Sequence, residues 1–180
     1  MAGTSSDEIL QLLRLAERGY ENRDAKLLVD IGGELERKGI YEPAWLLLAD
    51  APLMRKPADF PEWDGAPLPE GTLLVRKRIR HLGAELRMAR FIASASKHVP
   101  RTIIATEPRL VDLLARSFPE AEVVGKDAVP ALSGRVHEAS YERLAQFFGA
   151  DETAIHQSWR PLRARPTSYW ASGKSAVSLA

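Results

Sequence analysis

The chain has 180 residues, 45% of them hydrophobic, 27% charged, and a net charge of +1. That length holds one domain, or a small domain with an appendage, and the near-neutral balance gives no electrostatic argument for a nucleic-acid or membrane partner. Cysteine is absent, which excludes disulfides, thiolate metal sites and a cysteine nucleophile; the polar start from Gly3 to Glu8 lacks a signal-peptide pattern, and no apolar run approaches the ~20 residues of a membrane helix, so a cytoplasmic protein is expected.

Residues 6–19 read as a helix, with Ile9, Leu10, Leu12, Leu13, Leu15 and Ala16 on its apolar face. Ser5, Ser6 or Asp7 can cap it, and Glu8 stands at capping-box distance from Ser5. A second helix is expected over 24–38, where Leu27, Leu28, Ile31 and Leu35 recur at helical spacing between the cap Asp24 and the stop Gly39. A third is expected over 42–50, with Pro43 in its first turn. Leu28, Ile31, Gly32, Leu35, Ala44, Leu48 and Ala51 fall at the spacing of a tetratricopeptide repeat, with Pro57 one residue late for the terminal proline. Gly32 and Ala44 would let two helices approach closely. An ordinary helical hairpin has the same pattern, and a single repeat must pack its apolar face on something else.

Pro52, Pro57, Pro61, Pro67 and Pro69 crowd residues 51–71, which read as a linker anchored by Phe60 and Trp63. This divides the chain into a helical segment (1–56), a proline-rich linker (57–71), an α/β domain (72–160) and a tail (161–180). In the α/β domain, strands are expected at Thr72–Arg76, Thr102–Thr106 and Glu122–Gly125, alternating with helices at Gly83–Lys97 and Pro108–Ser117. Strands alternating with helices argue for a parallel sheet with right-handed crossovers, of three or four strands. Helices are then expected over Val136–Phe148 and Glu152–Trp159, and one more short strand near Ser168–Ala171.

The order of motifs carries a resemblance. Tetratricopeptide-like helices precede Pro61-Glu62-Trp63-Asp64-Gly65, then Gly71-Thr72-Leu73-Leu74-Val75, then the run Leu82 to Phe91, then Glu107-Pro108-Arg109-Leu110-Val111-Asp112-Leu113-Leu114. Over about residues 25–160 this resembles bacterial tetratricopeptide-repeat proteins with a GT-B glycosyltransferase domain, similar to the O-linked N-acetylglucosamine transferases and the heptosyltransferases. The resemblance implies two Rossmann-like domains facing a cleft, the first on the acceptor side and the second binding the nucleotide sugar. The chain reads as the first alone, with Ser168 to Gly173 like the opening of the second. The expected architecture is thus an N-terminal tetratricopeptide-like hairpin followed by a Rossmann-like parallel-sheet half-domain. The expected function is that of a truncated, acceptor-side glycosyltransferase-like half without catalysis of its own. The alternatives are a protein-interaction module, taking a protein partner or a second copy on the hairpin, and a binder of a small anionic ligand such as a sugar or phosphate. No nucleic acid, membrane, cofactor or metal is expected.

Where the family carries an acidic residue and glutamine before Gly-Leu-Gly-Asp, this chain has the basic run Arg76 to His81 before Leu82-Gly83-Ala84-Glu85. Arginines ahead of a helix start favour an anion, which makes Arg76, Arg78, Arg80 and Gly83 the candidate phosphate-binding residues; the alternative is a solvated basic loop. His81 is the candidate general base. Ser172-Gly173-Lys174-Ser175 is not a phosphate loop, since the pattern needs glycine where Ser168 stands and a helix after it. His98, His137 and His156 share no metal-ligand spacing. Trp45, Trp63, Trp159 and Trp170 are expected to pack, as are Tyr141, Phe147 and Phe148.

Overall fold

The structure is a computed structural model that describes residues 5–78, 82–158 and 161–163. Helix α1 spans Ser6–Glu21, and its cap is Ser5, whose Oγ accepts from Asp7 N. Helix α2 spans Ala25–Arg37, capped by Asp24 through Lys26 N and Leu27 N, and Gly39 follows it at φ +76°. Helix α3 runs over Tyr41–Arg55, one turn beyond its expected end, with Pro52 inside it. Pro52 forgoes one helical hydrogen bond, but Ala51 and Met54 still pack on the helical core, which holds the turn. A Cβ added at Gly32 would meet Leu48 Cγ at 2.8 Å and Ala44 O at 3.2 Å, so the glycine does permit the close approach of α2 and α3.

The sheet is parallel with strand order β3-β2-β1-β4, where β1 is Gly71–Arg76, β2 Arg101–Thr106, β3 Glu122–Gly125 and β4 Arg135–Ser140. Between β1 and β2 the expected single helix is broken into α4 (Leu82–Met88), a 3-10 turn (Ala89–Phe91) and α5 (Ile92–Ala95). Met88, Ala89, Phe91 and Ile92 on either side of this break are all buried. A 3-10 turn at Pro108–Leu110 leads into α6 (Val111–Ser117).

The helix expected over Val136–Phe148 needs correction. Its first third is strand β4, paired with β1 from Gly71↔Arg135 to Arg76↔Ser140, and only Tyr141–Phe148 is helical, as α7. Ser140 divides them: it ends the strand and its Oγ accepts from Arg143 N at 3.1 Å as the helix cap. Helix α8 covers Glu152–Gln157, capped by Asp151. The strand expected near Ser168–Ala171, Trp159 and Trp170, and the Ser172–Ser175 run lie outside the described residues.

One sheet face presents Leu73, Val75, Ile104 and Ala139 to a core built with Met88, Phe91, Leu114, Tyr141 and Leu144 from the helices. The other face, Leu74, Ile103, Ala105 and Val136, is closed by Phe60, Val129 and Leu132 from connecting segments. The proline-rich linker is docked rather than loose. Trp63 N donates to Glu138 O at 2.8 Å and Glu138 N to Pro61 O at 2.9 Å, which lays Glu62 beside β4. The Trp63 ring is 1% exposed and meets Phe147 edge-on at 5.6 Å. The helical segment shares the core: Trp45 and Leu48 belong to it, and Trp45 Nε1 donates to Gly149 O at 2.8 Å. Arg143 on α7 holds Asp50 of α3 at 2.6 Å, and Tyr20 Oη of α1 donates to the same carboxylate at 2.8 Å. The apolar surface that the hairpin could not bury by itself is thus covered in part by α7.

Candidate functional site

Strand β1 lies between β2 and β4, and the chain reaches these neighbours on opposite sides of it. In an open parallel sheet such a reversal leaves a crevice outside the carboxyl ends of the strands. Here β1 delivers Arg76, Lys77 and Arg78 to that edge, β2 delivers Thr106 and Glu107, β3 leads to Lys126 and Asp127, and β4 leads to Ser140, Tyr141 and Glu142. A cavity of about 590 Å³ opens over the ends of β1, β2 and β3, walled by Arg76, Lys77, Arg78, Thr106, Glu107 and Lys126 among others. A smaller one of about 220 Å³ lies on the other side of the basic tripeptide, against Lys56, Asp59 and Glu138.

Among the described residues, every cation lining the larger cavity has a carboxylate partner. Arg76 is bonded to Asp59, and Arg78 to Glu138 and to Lys56 O at 3.0 Å. Lys77 Nζ lies 3.2 Å from Glu85 Oε2 and 3.8 Å from Glu107, and Lys126 reaches Glu107 at 3.3 Å. The hydrogen bond from Lys126 holds the Glu107 carboxyl below the usual range, and that from Arg76 does the same for Asp59. Both acids are therefore ionised at neutral pH.

Behind the cations the carboxyl groups are buried. Glu85, Glu138 and Glu142 are each 2% exposed. Thr106 Oγ1 donates to Glu85 Oε1. Tyr141 Oη sits beside Thr106 and Glu85 without an aligned bond to either. Burial pushes the Glu142 carboxyl up to about 7; the charge of Glu85 adds to this, while its own N–H, the Ser140 hydroxyl and Arg78 oppose it. Burial, with Glu85 close by, pushes the Tyr141 phenol well above its ordinary value. The edge thus combines fixed positive charge, fixed negative charge and a carboxyl that exchanges a proton near neutrality.

Of the residues the sequence singles out, Arg76 and Arg78 line the crevice. Gly83 lies in the first turn of α4, lines neither cavity, and would leave an added Cβ in open space. Arg80 and His81 lie outside the described residues. Sequence reasoning misses Lys77 as a site residue, and misses Glu85, Thr106, Glu107, Lys126, Glu138, Tyr141 and Glu142. Their shared signal is position: each lies on a strand end or on the helix after it. Among the described residues no group of His, Cys, Asp and Glu is placed to hold a metal ion. His98 packs near Trp63 and Phe148, with ring centroids at 6.1 and 5.5 Å. No helix of the described residues is long and apolar enough to cross a membrane.

Fold and site define a mixed α/β protein with a charged crevice at the carboxyl edge of a parallel sheet. No protein-family model, curated protein or solved structure matches the chain.

Proposed function

We propose that this chain binds a small anionic ligand in the crevice at the carboxyl ends of β1, β2 and β3. The carrying observation is the gathering of Arg76, Lys77, Arg78 and Lys126 around one cavity of about 590 Å³, a size suited to a phosphorylated metabolite. The internal carboxylates keep these cations ordered, and an incoming phosphate exchanges with Glu107 and Asp59, the more exposed partners. The parallel strand order agrees with a Rossmann-like domain. Under the glycosyltransferase-like reading the crevice is the acceptor side and the ligand a sugar or sugar phosphate.

Calorimetric titration of pyrophosphate and glucose 1-phosphate into the full chain tests this. Saturable binding that weakens with salt is expected, with a loss of about tenfold in Lys126→Ala or Arg76→Ala, the scale of one charge-assisted hydrogen bond. No binding to the unaltered chain, or unchanged affinity in both variants, contradicts it.

A separate observation favours the interaction-module reading: Leu10, Leu15 and Leu46 are 51%, 39% and 38% exposed on α1 and α3. Under it, the tetratricopeptide-like helices take a protein partner or a second copy. Light scattering with size-exclusion chromatography then shows a dimer that Leu10→Lys and Leu46→Lys disperse; a monomer at all concentrations removes the self-association form.

A further inference from the structure

Another cavity, of about 300 Å³, shares no lining residue with the crevice. It lies where the end of α2 and the start of α3 meet α4, the 3-10 turn after it, and α8. Its floor is aromatic and apolar. Tyr41 and Trp45 stand four apart on α3 and stack at 6.0 Å, 16° from parallel. Trp45 Nε1 is already bonded to Gly149 O, which leaves its ring as an apolar wall. Met88 and Phe91 stand three apart and are buried, and Ile155 of α8 completes the apolar lining.

The spacing that builds this floor also builds a charged rim, since residues three apart share a helix face. Arg87 and Arg90 each precede a floor residue by one, and Arg37 comes from the last turn of α2. Against these three guanidinium groups the lining has one carboxylate, Glu36, and Arg87 takes both of its oxygens, at 2.5 and 3.1 Å. Arg37 is bonded to Glu34, which lies outside the lining. Arg90 Nε donates to Arg87 O at 2.7 Å, which fixes that side chain at the rim. Burial, with the charge of Arg87 beside it, holds the Arg90 guanidinium below its ordinary value; burial raises the Glu36 carboxyl against the pull of Arg87. The lining is therefore positive on balance and partly shielded from water.

These walls select on two criteria together. A bare phosphate would leave the aromatic floor uncovered. A neutral hydrocarbon would strip water from the arginines with nothing in return. A flat ring packs on Tyr41, Phe91 and the Met88 sulfur, and a carboxylate on that ring meets a planar guanidinium in the geometry it favours. The volume is at the lower end of the range for small-molecule sites, which suits a mono- or bicyclic acid rather than a dinucleotide.

We infer that this cavity is a binding site for a small aromatic carboxylate, with the ring on Tyr41, Met88 and Phe91 and the carboxylate on Arg90 and Arg37. The site is separate from the crevice and does not depend on the anion-binding reading of it.

The test is titration calorimetry on the full chain with indole-3-acetate, its neutral isostere indole-3-acetamide, and octanoate, which keeps the charge and lacks the ring. Indole-3-acetate is expected to bind saturably and at least about tenfold more tightly than either control, the scale of one charge-assisted hydrogen bond. Arg90→Gln should remove most of the advantage over the amide. Arg37→Gln, at an exposed position, should remove part of it without disturbing the core. Tyr41→Leu should weaken acid and amide alike, and circular dichroism checks that each variant is folded. Lys126→Ala in the crevice should change nothing. Equal affinity for acid and amide, equal affinity for octanoate, or full affinity in both folded arginine variants overturns the inference. Loss of indole-3-acetate binding in Lys126→Ala overturns it too and moves the site to the crevice. Absence of binding up to millimolar indole-3-acetate overturns it and leaves the anion reading of the crevice standing.

Discussion

The helical segment and the carboxyl edge of the sheet treat buried polar groups in opposite ways. Inside α1–α3, Leu28, Ile31, Leu35, Ala44, Leu47 and Ala51 form an apolar interior, and the neighbouring polar groups Tyr20, Asp50 and Arg143 are bonded to one another at its margin. At the strand ends, Glu85, Glu138 and Glu142 are as deeply buried as the leucines, and polar atoms are left unpaired. Burying charge costs free energy unless partners return it. The first region is built for stability, and the second gives up stability for a concentration of chemistry. Substitutions should therefore separate the two: changes in the packed regions lower stability and spare ligand binding, and changes at the strand ends do the reverse.

The largest effect is expected from Trp63→Ala. The ring is 1% exposed, packs on Phe147 and donates from Nε1 to Ala66 O at 2.7 Å. Urea unfolding should show a loss of about 3–5 kcal/mol, with binding at the crevice retained at low denaturant. Leu28→Ala, at 0% exposure, should cost about 2–5 kcal/mol in the helical segment with the same retention.

Next comes the pH dependence contributed by Glu142. Its folded-state value, about 7, is raised above the unfolded 4.5. Below pH 4.5 the group is protonated in both states and costs nothing. As pH rises from 4.5 to about 7 the unfolded chain releases the proton first, so stability falls, and the loss levels off above about 7. Its size is on the order of 3 kcal/mol. Denaturation measured across this window should slope downward for the unaltered protein and be flatter in Glu142→Gln. Equal slopes would remove the claim that the strand-end carboxyl is held at a cost.

Gly32→Ala sharpens the other side of the comparison. The new methyl must displace Leu48, whose Cγ lies 2.8 Å from it. Thermal unfolding should report a loss of about 1–3 kcal/mol from overpacking. Asp24→Ala is the smallest change: loss of the α2 cap, where Oδ1 accepts from Lys26 N and Leu27 N, should cost about 1 kcal/mol.

The parts of the fold legible in the sequence are those where local signals agree. Ser5, Asp24 and Gly39 mark the first helices, and β1, β2 and β3 are short runs bounded by turn residues, so these elements lie close to their expected places. Strand β4 was hidden because Glu138 and Ala139 favour a helix locally and the tyrosine-to-phenylalanine helix follows without a break. Pairing with the central strand β1 overrides that preference. The 3-10 turn at Ala89–Phe91 was hidden for a similar reason, since packing against α7 sets it. At the site, Arg76 and Arg78 were legible from the basic run after a strand. Glu85, Glu138 and Glu142 were not, because a carboxylate in a sequence reads as surface, and only the sheet topology brings these three to one buried edge.

The central claim is that the strand-end crevice binds an anion. Its most direct test is nitrogen–proton correlation NMR of the full chain titrated with pyrophosphate. The account predicts saturable shifts at the amides of Lys77, Arg78, Thr106, Glu107 and Lys126, with α1 and α2 unmoved. Shifts confined to other surface amides, or none up to millimolar pyrophosphate, would contradict it.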